Sequence, residues 1–137
     1  MTTARDIMSP DVTCVGENDT LEQAARLMRD LQVGAVPVCG EDRHLKGMVS
    51  DRDIVVKCLA EGGDPAQTRV GVLGEGKPVT VGADDDVQVV LETMAHHQVR
   101  RLPVVDGHDL VGIVSTADVA RTLPPERVGA LVSIISY

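Results

Sequence analysis

The feature that most constrains this chain is an internal duplication. Residues Val12 to Val55 align with Pro78 to Ala120. At an offset of 66 residues, Val15 meets Val81, Gly16 meets Gly82, Asp19 meets Asp85 and Met28 meets Met94. Gln32-Val33 likewise meets Gln98-Val99, and Pro37-Val38 meets Pro103-Val104. A one-residue gap then changes the offset to 65, and Leu45, Gly47, Val49-Ser50 and Asp53 meet Leu110, Gly112, Val114-Ser115 and Asp118. Matches this dense under one gap reflect duplication, so any site in one copy has a counterpart in the other.

Each copy reads as strand, helix, strand, strand, helix. The first strand is predicted over Val12 to Val15 and Val79 to Val81. Leu21, Ala24, Ala25 and Met28, and Val87, Val90, Leu91 and Met94, form the stripe of a helix with one buried face. Thr20 with Gln23 is a capping box, and Asp84 to Asp86 favour the positive end of the second such helix. Strands follow at Ala35 to Cys39 and Lys46 to Val49, and at Leu102 to Val105 and Leu110 to Val114. A further helix starts near Asp51 and near Thr116. One copy alone buries little core. The expected fold is therefore α/β (α+β), with two tandem units packed as a pseudo-twofold pair. The expected division is residues 1–66, with the N-terminal segment and part of the linker, and 67–137, ending in a helix from Glu126 to about Ile135. That helix would present Val128, Leu131, Val132 and Ile135.

The chain has no Trp, no Phe and a single Tyr, Tyr137. Its core must be aliphatic, and a ring-shaped ligand must be held without aromatic stacking. A net charge of −8 makes DNA, RNA and anionic lipid poor partners, while leaving room for a small anion in a local basic pocket. No apolar run approaches the roughly 18–20 residues of a membrane span. MTTARDIM lacks the apolar stretch of a secretory signal. A soluble, cytoplasmic protein with no nucleic-acid or membrane partner is the expectation.

The segments GMVSDRDI (Gly47 to Ile54) and GIVSTADV (Gly112 to Val119) each follow a Pro-Val strand, in GAVPVCG and RRLPVVDG. These paired motifs resemble the CBS domain, named after cystathionine β-synthase, and the whole chain resembles a CBS pair. The resemblance implies a stand-alone regulatory module without catalysis and with no required cofactor. It would bind AMP, ADP, ATP or S-adenosylmethionine in clefts between the repeats, and would form a homodimer. It also implies that Ser50, Asp53, Ser115 and Asp118 hold phosphate and ribose. Adenine would lie against Cys14 or Val15 with Val36 and Pro37, and against Thr80 or Val81 with Leu102 and Pro103.

The residues themselves leave two readings of Ser-x-x-Asp. A Ser at a strand-to-helix turn can donate to phosphate, and an Asp one turn in can accept from ribose hydroxyls. The same spacing is also a helix capping box. Arg52, Arg100 and Arg101 can clamp a phosphate or pair with surface carboxylates. Arg52 has Ala117 as its counterpart, and Arg100-Arg101 have Gly34-Ala35, so the two sites are expected to differ in affinity.

Cys14 and Cys39 end strands that a parallel crossover would bring together. They read either as a disulfide or as two small buried thiols; Cys58 reads as core. His96 and His97 are adjacent at a helix end, where their side chains should diverge, which does not suit one metal ion in one chain. A zinc ion shared across a dimer is the remaining metal reading. No nucleophile-base-acid set is visible, so an enzyme is not expected. The alternatives to a nucleotide sensor are a ligand-free dimeric interaction protein of a stress response and a thiol redox protein using Cys14 and Cys39.

Overall fold

A computed structural model describes residues 2–10, 12–73 and 78–126. In chain order its elements begin α1 (Ala4–Ile7), β1 (Val15–Gly16), α2 (Leu21–Leu31), β2 (Ala35–Cys39), β3 (Leu45–Ser50) and α3 (Asp51–Asp53). They continue α4 (Val70–Leu73), β4 (Val81–Gly82), α5 (Val87–His97), β5 (Arg101–Asp106), β6 (Asp109–Ser115) and α6 (Thr116–Ala120). After α3 the chain winds on through Ile54–Leu59 as a wider π-helical turn. This is the α+β architecture of two strand-helix-strand-strand-helix units that the duplication predicts.

The units divide as Thr13–Pro78 and as Val79–Tyr137 together with Met1–Val12. The division therefore differs from the expected 1–66 and 67–137, because the N-terminal segment packs on the second repeat. The Ala4 and Arg5 N–H groups donate to the Asp85 and Ala83 carbonyls at 2.8 and 2.9 Å, and Ser9 pairs with Ile113 in both directions. Ala4 is fully buried in the second repeat's core. The terminal helix expected from Glu126, with Val128, Leu131, Val132 and Ile135, lies outside the described residues, as do Gly74 and Gly76 of the linker.

Each unit holds a three-stranded sheet, ordered β1-β2-β3 and β4-β5-β6. The first pair is parallel and the second antiparallel in both sheets. The expected first strands shrink to two residues, because the turn into the next helix begins at once. Gly16 donates its N–H to Asp19 Oδ2 at 2.8 Å, and Gly82 donates to Asp85 Oδ2 at 2.8 Å. A Cβ on either glycine would lie 3.1 or 3.2 Å from that carboxylate oxygen. The repeated Val-Gly-x-x-Asp is thus a strand-to-helix turn.

The helices start and stop on local chemistry. Thr20 and Gln23 form the predicted capping box, and Asp86 caps α5 by accepting from the Gln88 N–H at 2.7 Å. Both helices end on a left-handed glutamine, Gln32 and Gln98, each at φ 55°. The following Val33 and Val99 return their N–H groups to the Met28 and Met94 carbonyls at 3.0 and 3.1 Å. This six-to-one closure is a Schellman stop, here built on glutamine where glycine is commoner.

Two aliphatic cores result. One gathers Val15, Leu21, Ala24, Met28, Val36, Val38, Val49, Ile54, Cys58 and Val70. The other gathers Ala4, Val81, Ala83, Val90, Leu91, Met94, Leu102, Val104, Val114 and Val119. A fully buried Leu21 contributes about 1.5–3 kcal/mol by leaving water. Both sheets therefore stand on a firm apolar face, and each fixes the position of its edge residues.

Candidate functional site

In each unit the start of the second strand and the end of the third meet at one end of the sheet, while the first strand pairs further along, Val15 beside Val38 and Val81 beside Val104. Ala35 faces Ser50 across β2 and β3, and Arg101 faces Ser115 across β5 and β6. Opposed residues of an antiparallel pair share a face. The edge of the first unit therefore gathers Val36, Ser50 and the first turn of α3. The edge of the second gathers Leu102, Ser115 and the first turn of α6.

Ser50 and Ser115 are helix caps. The Asp53 N–H donates to Ser50 Oγ at 3.0 Å, and the Ser50 N–H donates to Asp53 Oδ2 at 3.0 Å. In the second copy the Asp118 N–H donates to Ser115 Oγ at 3.2 Å, and the Ser115 N–H donates to Asp118 Oδ2 at 2.8 Å. The cap engages one carboxylate oxygen. The other, Oδ1, pairs with Lys57 at 3.4 Å in the first copy and with Arg121 in the second. The cap therefore leaves Oδ1 to a different partner. Asp118 is buried, at 7% exposure, and Asp53 is half-buried.

Lys57 and Arg121 escaped the sequence reading. Their spacing of four and three residues from the aspartates, on the same helical face, was the available signal. Arg52 and Arg100 are exposed and Arg101 is half-buried. Among the described residues none of the three makes an ion pair, so the surface-carboxylate alternative is not what the structure adopts.

The apolar candidates divide differently. Val15, Val36, Val81 and Leu102 are at most 3% exposed, and Pro37 and Pro103 are buried too. Their side chains belong to the cores, and what they can turn towards a ligand is backbone. Cys14 and Thr80, half-buried, precede the short strands, which pair with the later residues of β2 and β5.

Cys14 and Cys39 are joined as a disulfide, with Cα atoms 6.0 Å apart and a sequence separation of 25. The bond ties the residue before β1 to the end of β2, where the ladder carries a bulge between Val38 and Cys39. The second repeat has the same bulge between Val104 and Val105 but no cysteine. Cys58 is a free thiol, 3% exposed and packed in the core.

His96 and His97 do not diverge as expected. Their rings meet edge-on with centroids 4.8 Å apart, because α5 ends there and the last turn lets neighbouring rings approach. Among the described residues no three His, Cys, Asp or Glu side chains gather to hold a metal ion. Among them, too, no helix is long and apolar enough to cross a membrane.

The sequence pattern of the CBS domain matches twice, over residues 4–59 and 75–125. The chain belongs to the CBS-domain family. It is a CBS pair, a regulatory module. Hypoxic response protein 1 of Mycobacterium tuberculosis (strain ATCC 25618 / H37Rv) is 50% identical over 135 residues, covering 98% of this chain and 94% of the relative. The crystal structure of Hypoxic Response Protein I with two coordinated zinc ions is similar at TM-score 0.84 and 53% identity, covering 90% of this chain and all of that one. The described residues here offer no ready donor set for such an ion within one chain. CBSX2 in complex with AMP is similar at TM-score 0.77 and 26% identity, over 89% of this chain and 96% of its own. The CBS domain pair of protein MJ0100, in complex with 5′-methylthioadenosine and S-adenosyl-L-methionine, is similar at 0.78 and 25%, over 89% and 95%.

Proposed function

We propose that this CBS pair senses an adenine nucleotide or a related adenosyl ligand at its Ser-x-x-Asp edges. The observation that carries the reading is the division of labour on Asp53 and Asp118. Each uses Oδ2 for the cap and holds Oδ1 against a flexible basic side chain. A ribose diol can donate to Oδ1, displacing Lys57 or Arg121, and the helix start stays closed. Backbone beside Cys14 and Val36, or beside Thr80 and Leu102, offers donors and acceptors to the edge of a base. Arg52, Arg100 and Arg101 supply positive charge for phosphate. The AMP of CBSX2 and the adenosyl ligands of MJ0100 support the ligand class.

Calorimetric titration of nucleotide-stripped protein with AMP, ATP and S-adenosylmethionine tests this. Protein concentration comes from amino-acid analysis, since one Tyr and no Trp make absorbance a poor measure. Saturable heat that disappears with Asp53→Ala or Asp118→Ala is the expected result. No heat with any of the three up to millimolar concentration refutes it.

One observation favours a second reading, a ligand-free homodimeric interaction protein of a stress response. The first repeat exposes Leu31, Val55, Val56 and Leu59, each 44% to 53% open. Ala25, Met28, Val33 and Ile54 line a shallow groove of about 320 Å³ beside Val55. The identity to Hypoxic response protein 1 supports the stress role.

A further inference from the structure

We infer that the two edges select ligands of different charge: the second repeat takes a phosphorylated adenosyl ligand, and the first takes an uncharged or cationic one. This rests on the adenosyl-sensing reading and adds what each edge accepts.

The backbone frames of the two edges are the same. The Asp51 N–H donates to the Gly34 carbonyl at 2.9 Å, and the Thr116 N–H donates to the Arg100 carbonyl at 2.9 Å. Ser50 faces Ala35 as Ser115 faces Arg101. On these matched frames the side chains differ in charge at each of the four positions. Gly34 and Ala35 stand where the second repeat has Arg100 and Arg101, and Asp51 and Arg52 stand where it has Thr116 and Ala117.

The charge left over at each edge follows directly. Asp53 is met by Lys57, and Asp118 by Arg121. The first edge then keeps one negative charge, Asp51, and one positive, Arg52. The second keeps two positive charges, Arg100 and Arg101, which make no ion pair among the described residues. Placement sharpens the contrast. Arg101 shares a sheet face with Ser115 and lies directly across from it. At the first edge the Asp51 carboxylate is turned over Gly34, with Oδ2 3.2 Å from where a Cβ would sit. A phosphate approaching Ser50 therefore meets a carboxylate beside the strand, where its counterpart meets Arg101 across from Ser115, with Arg100 one residue before it. Each charge-assisted contact to phosphate is worth about tenfold in affinity.

The test uses the full chain with AMP as the dianionic probe and adenosine as the neutral one. Asp118→Asn leaves only the first edge competent, and Asp53→Asn only the second, while asparagine keeps an acceptor for the cap. With the second edge alone, AMP should bind about tenfold or more tighter than adenosine, and the ratio should fall as salt screens the arginines. With the first edge alone, adenosine should bind at least as tightly as AMP. Arg100→Gln with Arg101→Gln should bring the second edge's ratio to about one, and Asp51→Thr should strengthen AMP at the first. If the arginine variant fails to fold, the salt dependence measured in the Asp53→Asn chain decides alone. An equal or reversed AMP-to-adenosine ratio at the two edges overturns the charge selection while leaving the sensing reading intact. Binding of neither probe to the unsubstituted chain overturns both.

Discussion

The two repeats share a fold but secure it differently. In the first, the two-residue strand β1 is fastened to β2 by the Cys14–Cys39 disulfide. In the second, Thr80 and Val105 occupy those positions, and the N-terminal segment lies against the repeat. Ala4 fills the core there, Ser9 pairs with β6, and Arg5 bonds to Asp106 at 3.1 Å. The surfaces diverge as well. Leu31, Val55, Val56 and Leu59 of the first repeat have His97, Ala120, Arg121 and Pro124 as counterparts. A short parallel strand has few ladder hydrogen bonds of its own, so each copy adds a fastening, one covalent and one a strap of chain.

The largest effect should come from removing the covalent fastening. A disulfide closing a loop of this length restricts the unfolded chain by about 3 kcal/mol in the chain-entropy account. Cys14→Ser with Cys39→Ser, or reduction of the native chain, should destabilise the first repeat by roughly that amount. Hydrogen exchange resolved by residue is the measurement. Protection should fall for Val36, Val38 and Val49 and hold for Leu102, Val104 and Val114. An equal loss in both repeats would mean that the two unfold as one unit and that the fastenings are not independent.

Breaking the strap should cost less. Gly112 lies under the N-terminal segment, where an added Cβ would run into the Met8 side chain and come within 3.0 Å of the Ser9 carbonyl oxygen. Met8 can swing aside but the Ser9 backbone is paired to Ile113. Gly112→Ala should therefore lift the strap and lower stability by about 1–3 kcal/mol, the usual range for overpacking. Faster exchange at the Ser9 and Ile113 amides, with Val38 unchanged, would locate the damage. Stability equal to the parent would show that the strap contributes little.

How much of this was legible in sequence follows from the range of each interaction. The duplication, the Thr20-Gln23 cap, the Ser-x-x-Asp caps and the helical stripes are local patterns, and the structure realises them. The repeated Gln-Val was visible but not as a helix stop, since a left-handed glutamine depends on the closing bond from the next valine. The docking of Ala4 was not legible. Thr3 and Asp6 give a local helix start, but nothing near them says that the segment packs about 80 residues away, against Asp85. At the candidate site, the serines, aspartates and arginines were legible from their motif. The burial of Val15, Val36, Val81 and Leu102 was not, because Val15 and Val81 sit in strands too short to show alternation and Val36 and Leu102 in runs buried without alternation. The partners Lys57 and Arg121 could have been read from spacing alone.

The smallest effect separates the fastenings by pH. In the strap, Asp6 has its carboxyl held below the usual carboxylate range, chiefly by the Thr3 backbone N–H at 2.8 Å and then by the Thr3 hydroxyl. In the first repeat the comparable group is Asp42, lowered mainly by the His44 backbone N–H in the β2–β3 hairpin, three residues beyond Cys39. For a carboxylate whose folded pKa is depressed, the stabilisation is present above the unfolded value and is lost as pH falls through the folded one. Acidification below the ordinary Asp range should therefore loosen α1 in the second repeat and the β2–β3 hairpin in the first, while β1, held to β2 by the disulfide, does not respond. The Ala4 and Arg5 amides, which donate to Asp85 and Ala83, report this once exchange is normalised for its intrinsic pH dependence. Asp6→Asn should leave that protection flat with pH. A matching acid response at Val15 or Gly16 would mean that the strap and the disulfide end share a common opening, and would remove the distinction between the two fastenings.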